Sequence, residues 1–270
     1  GVQTCALPIY GAAPVAPSAL TAKTKTVQLI EGVPSFMATS EPRALSIDEI
    51  PGIVADYKTA SRNAMAAGFD GVEVHAANGY LIDQFLRSGS NHRTDSYGGS
   101  VENRTRFLKE VMQAVCSEIG GGNSAIRISP VTPANDASDD EPQTLFEHVA
   151  QFLGTLNLAY VHTVEGSTGA ARDFYQGPQP FDYAALKAAY VGAGGTGAWM
   201  LNNAYTLELA HQALSNGADL IAFGRPFIAN PDLGLRLRQN GPFNEPDRST
   251  FYGGLEKGYT DYPFLNASST

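Results

Sequence analysis

His75, Asn78 and Tyr80 fall within the stretch DGVEVHAANGY (70–80), directly after a short Val-rich run. An imidazole donor and a carboxamide donor three residues apart can converge on one oxygen and polarise a carbonyl or nitro group. A phenol just beyond them can deliver a proton. The same residues also suit plain structural roles, with His75 hydrogen-bonded in a core, Asn78 in a turn and Tyr80 in ordinary packing.

A second set lies in NNAYT (202–206) and AFGRPF (222–227). Each segment follows an apolar run and leads towards a helix N-terminus, where unpaired amides and the helix dipole favour an anion such as phosphate. Gly224 lets the backbone approach closely and Arg225 supplies a fixed positive charge. The other reading makes Gly224 a strand end and Arg225 a solvated charge. Arg127 sits inside an otherwise apolar run, where a cation needs a partner: a bound cofactor ring or a buried salt bridge. His162 reads as a satisfied core histidine, and His92, His148 and His211 receive no role.

These residues need a scaffold that ends strands beside one another. Ser46 and Glu49 are spaced as a capping box, and Ile53, Tyr57, Ala60, Ala64 and Ala67 follow at helical spacing until Gly68. The next helix carries Phe107, Leu108, Val111, Met112 and Val115 on one face, with GGG at 120–122 as its stop. Further helices are expected around 142–154, 182–189, 205–216 and 231–238. Between them, strands are expected at 71–75, 125–129, 158–163, 198–201 and 219–224. Alternating strands and helices imply a parallel sheet with helical crossovers. Five strands are three short of the eight in a (β/α)8 barrel, although 270 residues suit one. Residues 11–45, rich in Pro, Ala, Ser and Thr, are expected to form an extended loop.

The chain carries a formal net charge of −9, which argues against nucleic acid or an anionic membrane as the main partner. No run approaches the ~18–20 apolar residues of a membrane helix. Two cysteines, Cys5 and Cys116, make no disulfide framework, and neither CxxC nor HxxxH spacing occurs, so no metal site and a reducing, cytoplasmic setting are expected.

The block HAANGYLIDQFLRSGSNHRTDSYGGSVENRTRF (75–107) closely resembles the signature region of the old yellow enzymes, FMN-dependent ene-reductases. IRISP, AFGRPFIANPDL and FYGGLEKGYTDYP match three further family segments in order, and GAAPVAPSAL resembles the loop after the third barrel strand. The resemblance covers Gly11 to Leu265. It implies a (β/α)8 TIM barrel with tightly bound, non-covalent FMN and with NADPH or NADH as electron donor. By this resemblance, His75 and Asn78 bind the oxygen of an α,β-unsaturated carbonyl or nitro substrate. Tyr80 gives a proton to its α carbon while flavin N5 sends hydride to the β carbon. Arg127 lies beside flavin N1 and the C2 carbonyl. Gly224, Arg225 and the amides near Asn203 and Ala204 hold the phosphate, and Tyr252 lines the substrate pocket. Relatives usually have Gly where Asn203 stands, and Asn tolerates a left-handed backbone better than most residues.

The opening segment, GVQTCALPI (1–9), equals the translation of a sequencing-adapter oligonucleotide, GGA GTT CAG ACG TGT GCT CTT CCG ATC T. Its leftover T begins both Tyr codons, as Tyr10 requires. The expectation is therefore an incomplete barrel with about five of eight strands. It comprises an adapter-derived 1–9, a loop at 10–45, the partial FMN-binding barrel at 46–266 and a tail at 267–270. The segments of the family's first three strands are missing, so an inactive fragment of an active reductase is expected. Two other readings are a phosphate-binding barrel lyase or isomerase and a non-catalytic binding protein. The first wants a Lys or carboxylate at the catalytic strand ends, which does not occur here. Oligomeric state is not set by the sequence.

Overall fold

The computed structural model describes residues 13–30, 33–168, 171–174, 177–251 and 255–265. The chain divides into two compact units, Gly1–Asn203 with Ala218–Leu220 and Ala204–Gly217 with Ile221–Thr270.

In the first unit, residues 11–45 depart from the expected loop. β1 (Val15–Ala16) pairs in parallel with β4 (Arg43–Ala44), while β2 (Lys25–Ile30) and β3 (Val33–Ala38) form an antiparallel hairpin. Three of the six residues of KTVQLI (Thr26, Val27 and Ile30) are β-branched and favour a strand, a signal masked by the Pro, Ala, Ser and Thr around it. The hairpin is no core layer, since Phe36 is 70% exposed.

After this comes the alternating part. Glu49 accepts from the Ser46 backbone N–H at 2.8 Å, and the capping box opens a 3-10 turn that runs into α1 (Ile50–Ala66). β5 (Val72–Ala76), α2 (Leu81–Leu86) and α3 (Val101–Ile119) follow. Then come β6 (Ser124–Ile128), α4 (Pro142–Leu153), β7 (Tyr160–Val164), α5 (Tyr183–Gly192) and β8 (Ala198–Asn202). The sheet order is β5-β6-β7-β8, and next to β8 comes β9 (Leu220–Ala222), whose first residue belongs to this unit. The five expected strands are the five strands of this sheet; α2 was not expected.

Parallel register aligns residues into rows that share a face. Val74, Ile126, Val161 and Trp199 make one apolar row, which is buried with the helices. Phe107, Leu108, Val111, Met112 and Val115 of α3 are all buried in that core, as their spacing predicts. Each such side chain contributes roughly 1.5–3 kcal/mol by leaving water. The adjacent row, on the opposite face, is His75, Arg127, His162 and Met200. Three of its four side chains are polar.

The second unit contains α6 (Leu207–Ser215), α7 (Arg225–Ala229) and α8 (Leu233–Gln239). Buried Arg236 ties it together: its guanidinium pairs with Asp232 at 2.6 Å and donates to the carbonyls of Pro242 (2.7 Å) and Pro263 (2.8 Å). No helix among the described residues is long and apolar enough to cross a membrane.

Candidate active site

The chain leaves β5 through two left-handed residues, Asn78 (φ 58°) and Gly79 (φ 72°), which reverse it so that Tyr80 caps α2. Gly79 is required there, because a Cβ would lie 2.4 Å from the Ala134 carbonyl oxygen. A buried ion pair anchors the turn. Asp83 accepts from the Gly79 N–H at 2.9 Å and pairs with Arg87 Nε at 2.8 Å, both side chains fully buried. Arg87 then donates to the backbone carbonyls of Ser129 and Pro130, just beyond β6, and stacks over the Phe146 ring. Arg104 pairs with buried Asp139 nearby. None of these buried ions was expected. An Asp and an Arg four residues apart in the apolar run LIDQFLR is the signal that marks the first pair.

His75 and Tyr80 come together, their ring centroids 5.0 Å apart. Asn78 is held at three atoms. Its N–H donates to Ser129 Oγ (2.7 Å), its carbonyl accepts from Asn135 Nδ2 (2.9 Å), and its Oδ1 accepts from Thr168 Oγ1 (2.6 Å). Its Nδ2 meets no acceptor among the described residues, which leaves the amide donor for a ligand. Partial burial, then the Arg127 charge, lowers the His75 pKa from the ordinary histidine value, which favours the neutral ring, although the side chain stands exposed on its face of the sheet.

Arg127 lies beside His75 in the polar row and donates from Nη2 to Asn202 Oδ1 at 2.9 Å. Its Nε is buried without a partner among the described residues. Burial pulls the Arg127 pKa down while Glu73 pulls it up, and a guanidinium remains charged at neutral pH. His162 donates from Nδ1 to Glu73 Oε2 at 2.8 Å, but its Nε2 is buried without a partner among the described residues, so the expected satisfied core histidine is met at one ring nitrogen and not at the other. Burial opposes the Glu73 charge, but the His162 hydrogen bond and the cations nearby prevail, so its pKa falls. Burial, aided by Glu73, pushes Tyr160 up to about 12. His148 contacts Lys109 and Glu102 on the helix surface.

Asn203 has a buried side chain whose Nδ2 donates to the carbonyls of Glu165 (2.6 Å) and Ser167 (2.8 Å). Its φ is 116° and that of Ala204 is 50°, the left-handed turn that the sequence anticipates. In the second unit, Gly224 caps α7 and Arg225, half-buried, is the first residue of that helix. A Cβ at Gly224 would meet nothing within 4 Å. Tyr252 lies outside the described residues. No group of His, Cys, Asp or Glu among the described residues is arranged to hold a metal ion.

Comparison with known proteins identifies the family. Residues 7–244 match the model of the NADH:flavin oxidoreductase / NADH oxidase family. Putative 12-oxophytodienoate reductase 5 of Oryza sativa subsp. japonica is 45% identical over 238 residues, which cover 86% of this chain and 61% of the relative. A probable flavin mononucleotide-dependent alkene reductase of Leishmania infantum is 45% identical over 225 residues, 83% of this chain and 58% of the relative. Among solved structures, morphinone reductase superposes with a TM-score of 0.86 at 44% identity, covering 96% of this chain and 68% of that one. The chain thus spans about 60% of the length of such curated relatives. The fold is α/β, of the (β/α)8 class that these solved relatives share. With that sheet, that rim and a family model matched over most of its length, the chain belongs to the NADH:flavin oxidoreductase / NADH oxidase family.

Proposed function

We propose that this chain carries the active-site rim of an FMN-dependent reductase of activated alkenes, α,β-unsaturated carbonyl or nitro compounds, with NADPH or NADH as the electron source. The observation that carries this reading is the turn after β5. There Asn78 is held at three atoms with its Nδ2 still available, beside the paired rings of His75 and Tyr80. The residues fit a flavin. Arg127 offers a buried, unpartnered Nε donor and a fixed positive charge, which suit the electron-rich N1 and C2-carbonyl edge of the ring. Gly224, Arg225 and the backbone amides at Asn203 and Ala204 would hold its phosphate, and Tyr252 would line the substrate pocket. When bound, the flavin supplies the hydride that the β carbon receives.

The chain's own residues do the rest. His75 and Asn78 donate to the substrate oxygen and draw electron density from the alkene, which makes the β carbon electrophilic. His75 donates through a ring N–H, and the lowering of its pKa favours the neutral form in that role. Tyr80 donates its phenolic proton to the α carbon. General-acid catalysis of this kind is worth roughly 10²–10⁴-fold.

The described sheet has five strands, with β5 at one end of the order, whereas a closed barrel of this class has eight. We propose that full flavin binding and turnover require barrel closure, so that this chain alone is inactive or close to it. Titration of the chain with FMN, followed by flavin fluorescence, and then addition of NADPH and cyclohex-2-enone tests both parts. Saturable FMN binding with slow enone reduction supports the reading. No FMN binding at any concentration removes the cofactor assignment, and fast turnover removes the need for closure.

A further inference from the structure

The C-terminal rim of the sheet carries a hydrogen-bonded belt that the assigned roles leave out. It links the loops after four successive strands. After β8, the Asn203 side chain clasps the carbonyls of Glu165 and Ser167 in the loop after β7. That loop carries Thr168, whose hydroxyl reaches Asn78 Oδ1 at 2.6 Å in the loop after β5. Ser129, just past β6, takes the Asn78 N–H. Thr132 steadies the loop after β7 as well, with its hydroxyl donating to the Gly166 carbonyl at 2.7 Å.

A Thr hydroxyl has one proton to give, and an amide oxygen can only accept. Thr132 Oγ1 lies 3.2 Å from Thr168 Oγ1, so the 2.6 Å contact with Asn78 is the stronger claim on the Thr168 proton. The Thr168 hydroxyl could also accept from a turned amide, but 2.6 Å suits an O–H···O bond and is short for N–H···O, so the contact keeps Oδ1 on Thr168. We propose that Thr168 is a positioning residue that fixes the Asn78 amide so that Nδ2 faces the substrate oxygen, and that Asn203 holds the loop carrying Thr168 in place. The identity of the ligand rests on the alkene-reductase reading; the clamp itself does not.

The test is NMR of the 15N-labelled chain, reading the order of the Asn78 side-chain amide together with a titration of cyclohex-2-enone. T168V and N203G are expected to loosen the amide and weaken enone affinity about three- to tenfold, the worth of one hydrogen bond. T168S, which keeps the hydroxyl, is expected to restore both. Thr168 is exposed, so T168V leaves the core intact, while N203G removes a buried side chain from a backbone whose φ of 116° suits glycine. Unchanged Asn78 order in T168V overturns the proposal, as does failure of T168S to restore it. If T168V loosens Asn78 while enone fails to bind even the unmodified chain, the clamp stands and the alkene-reductase reading falls.

Discussion

Two strand-to-helix turns invite comparison, the one after β5 and the one that opens α7. Both place a chemistry-bearing residue where a strand gives way to a helix. At the first, the protein fills every space: Gly79 has the Ala134 carbonyl 2.4 Å from where a Cβ would stand, and Asn78 is bonded through N, O and Oδ1. At the second, a Cβ on Gly224 would meet nothing within 4 Å. The first turn is preorganised by the chain itself, so that its donors need no rearrangement when charge develops on a substrate. The second is shaped around open space, which is where a ligand rather than the protein would set the limit on side-chain size.

The sharpest way to break this contrast is to remove the anchor of the first turn. R87A leaves Asp83 buried without its partner and strips the carbonyls of Ser129 and Pro130 of a donor. Removing one member of a buried pair costs about 3–5 kcal/mol. Urea unfolding of R87A is therefore expected to show a large loss of stability; a loss near that of a surface substitution would mean the turn stands without its anchor.

The second turn predicts the opposite behaviour. G224A is expected to change stability by less than about 1 kcal/mol, since the site has room and Gly is only a modest helix cap. FMN affinity is expected to fall about tenfold, the worth of one or two disturbed hydrogen bonds. An unfolded variant, or one with unchanged FMN affinity by fluorescence titration, would erase the distinction between the two turns.

A smaller effect tests the layer beneath the first turn. Glu73 has its pKa lowered below 4.5 in the folded chain. It therefore adds stability that is present above about pH 4.5 and fades as pH falls through the folded value. E73Q is expected to flatten the acid side of the pH–stability curve, below about pH 4.5. An unchanged slope in thermal melts would show that the His162 contact does not hold the charged form.

The comparison also explains what could be read from residues alone. The capping box at Ser46 and Glu49, the α3 face and the five sheet strands were legible because each is a local pattern of spacing. So was the pairing of His75 and Tyr80, whose rings one turn brings to 5.0 Å, with Asn78 between them in sequence. The hairpin β2–β3 was not, because its alternation is short and sits in a Pro- and Ser-rich setting. Short α2 escaped notice because its apolar run merges with the turn before it. The partners of Asn78 were hidden for another reason: Ser129 is 51 residues away and Thr168 is 90, so only the parallel register brings them to one rim. Asn203 shows the same limit. Its type suggested a tolerated turn, while its side chain proves to clasp the neighbouring loop.

Chemistry at the first turn is the central claim, and Tyr80 is the residue that tests it most directly. Y80F removes the proton while leaving a ring of similar size beside His75. Single-turnover measurements on the FMN-loaded chain separate flavin reduction by NADPH from reoxidation by cyclohex-2-enone. The account predicts that Y80F leaves the first step unchanged and slows the second by roughly 10²–10⁴-fold. Equal loss of both steps, or an undiminished second step, would contradict it.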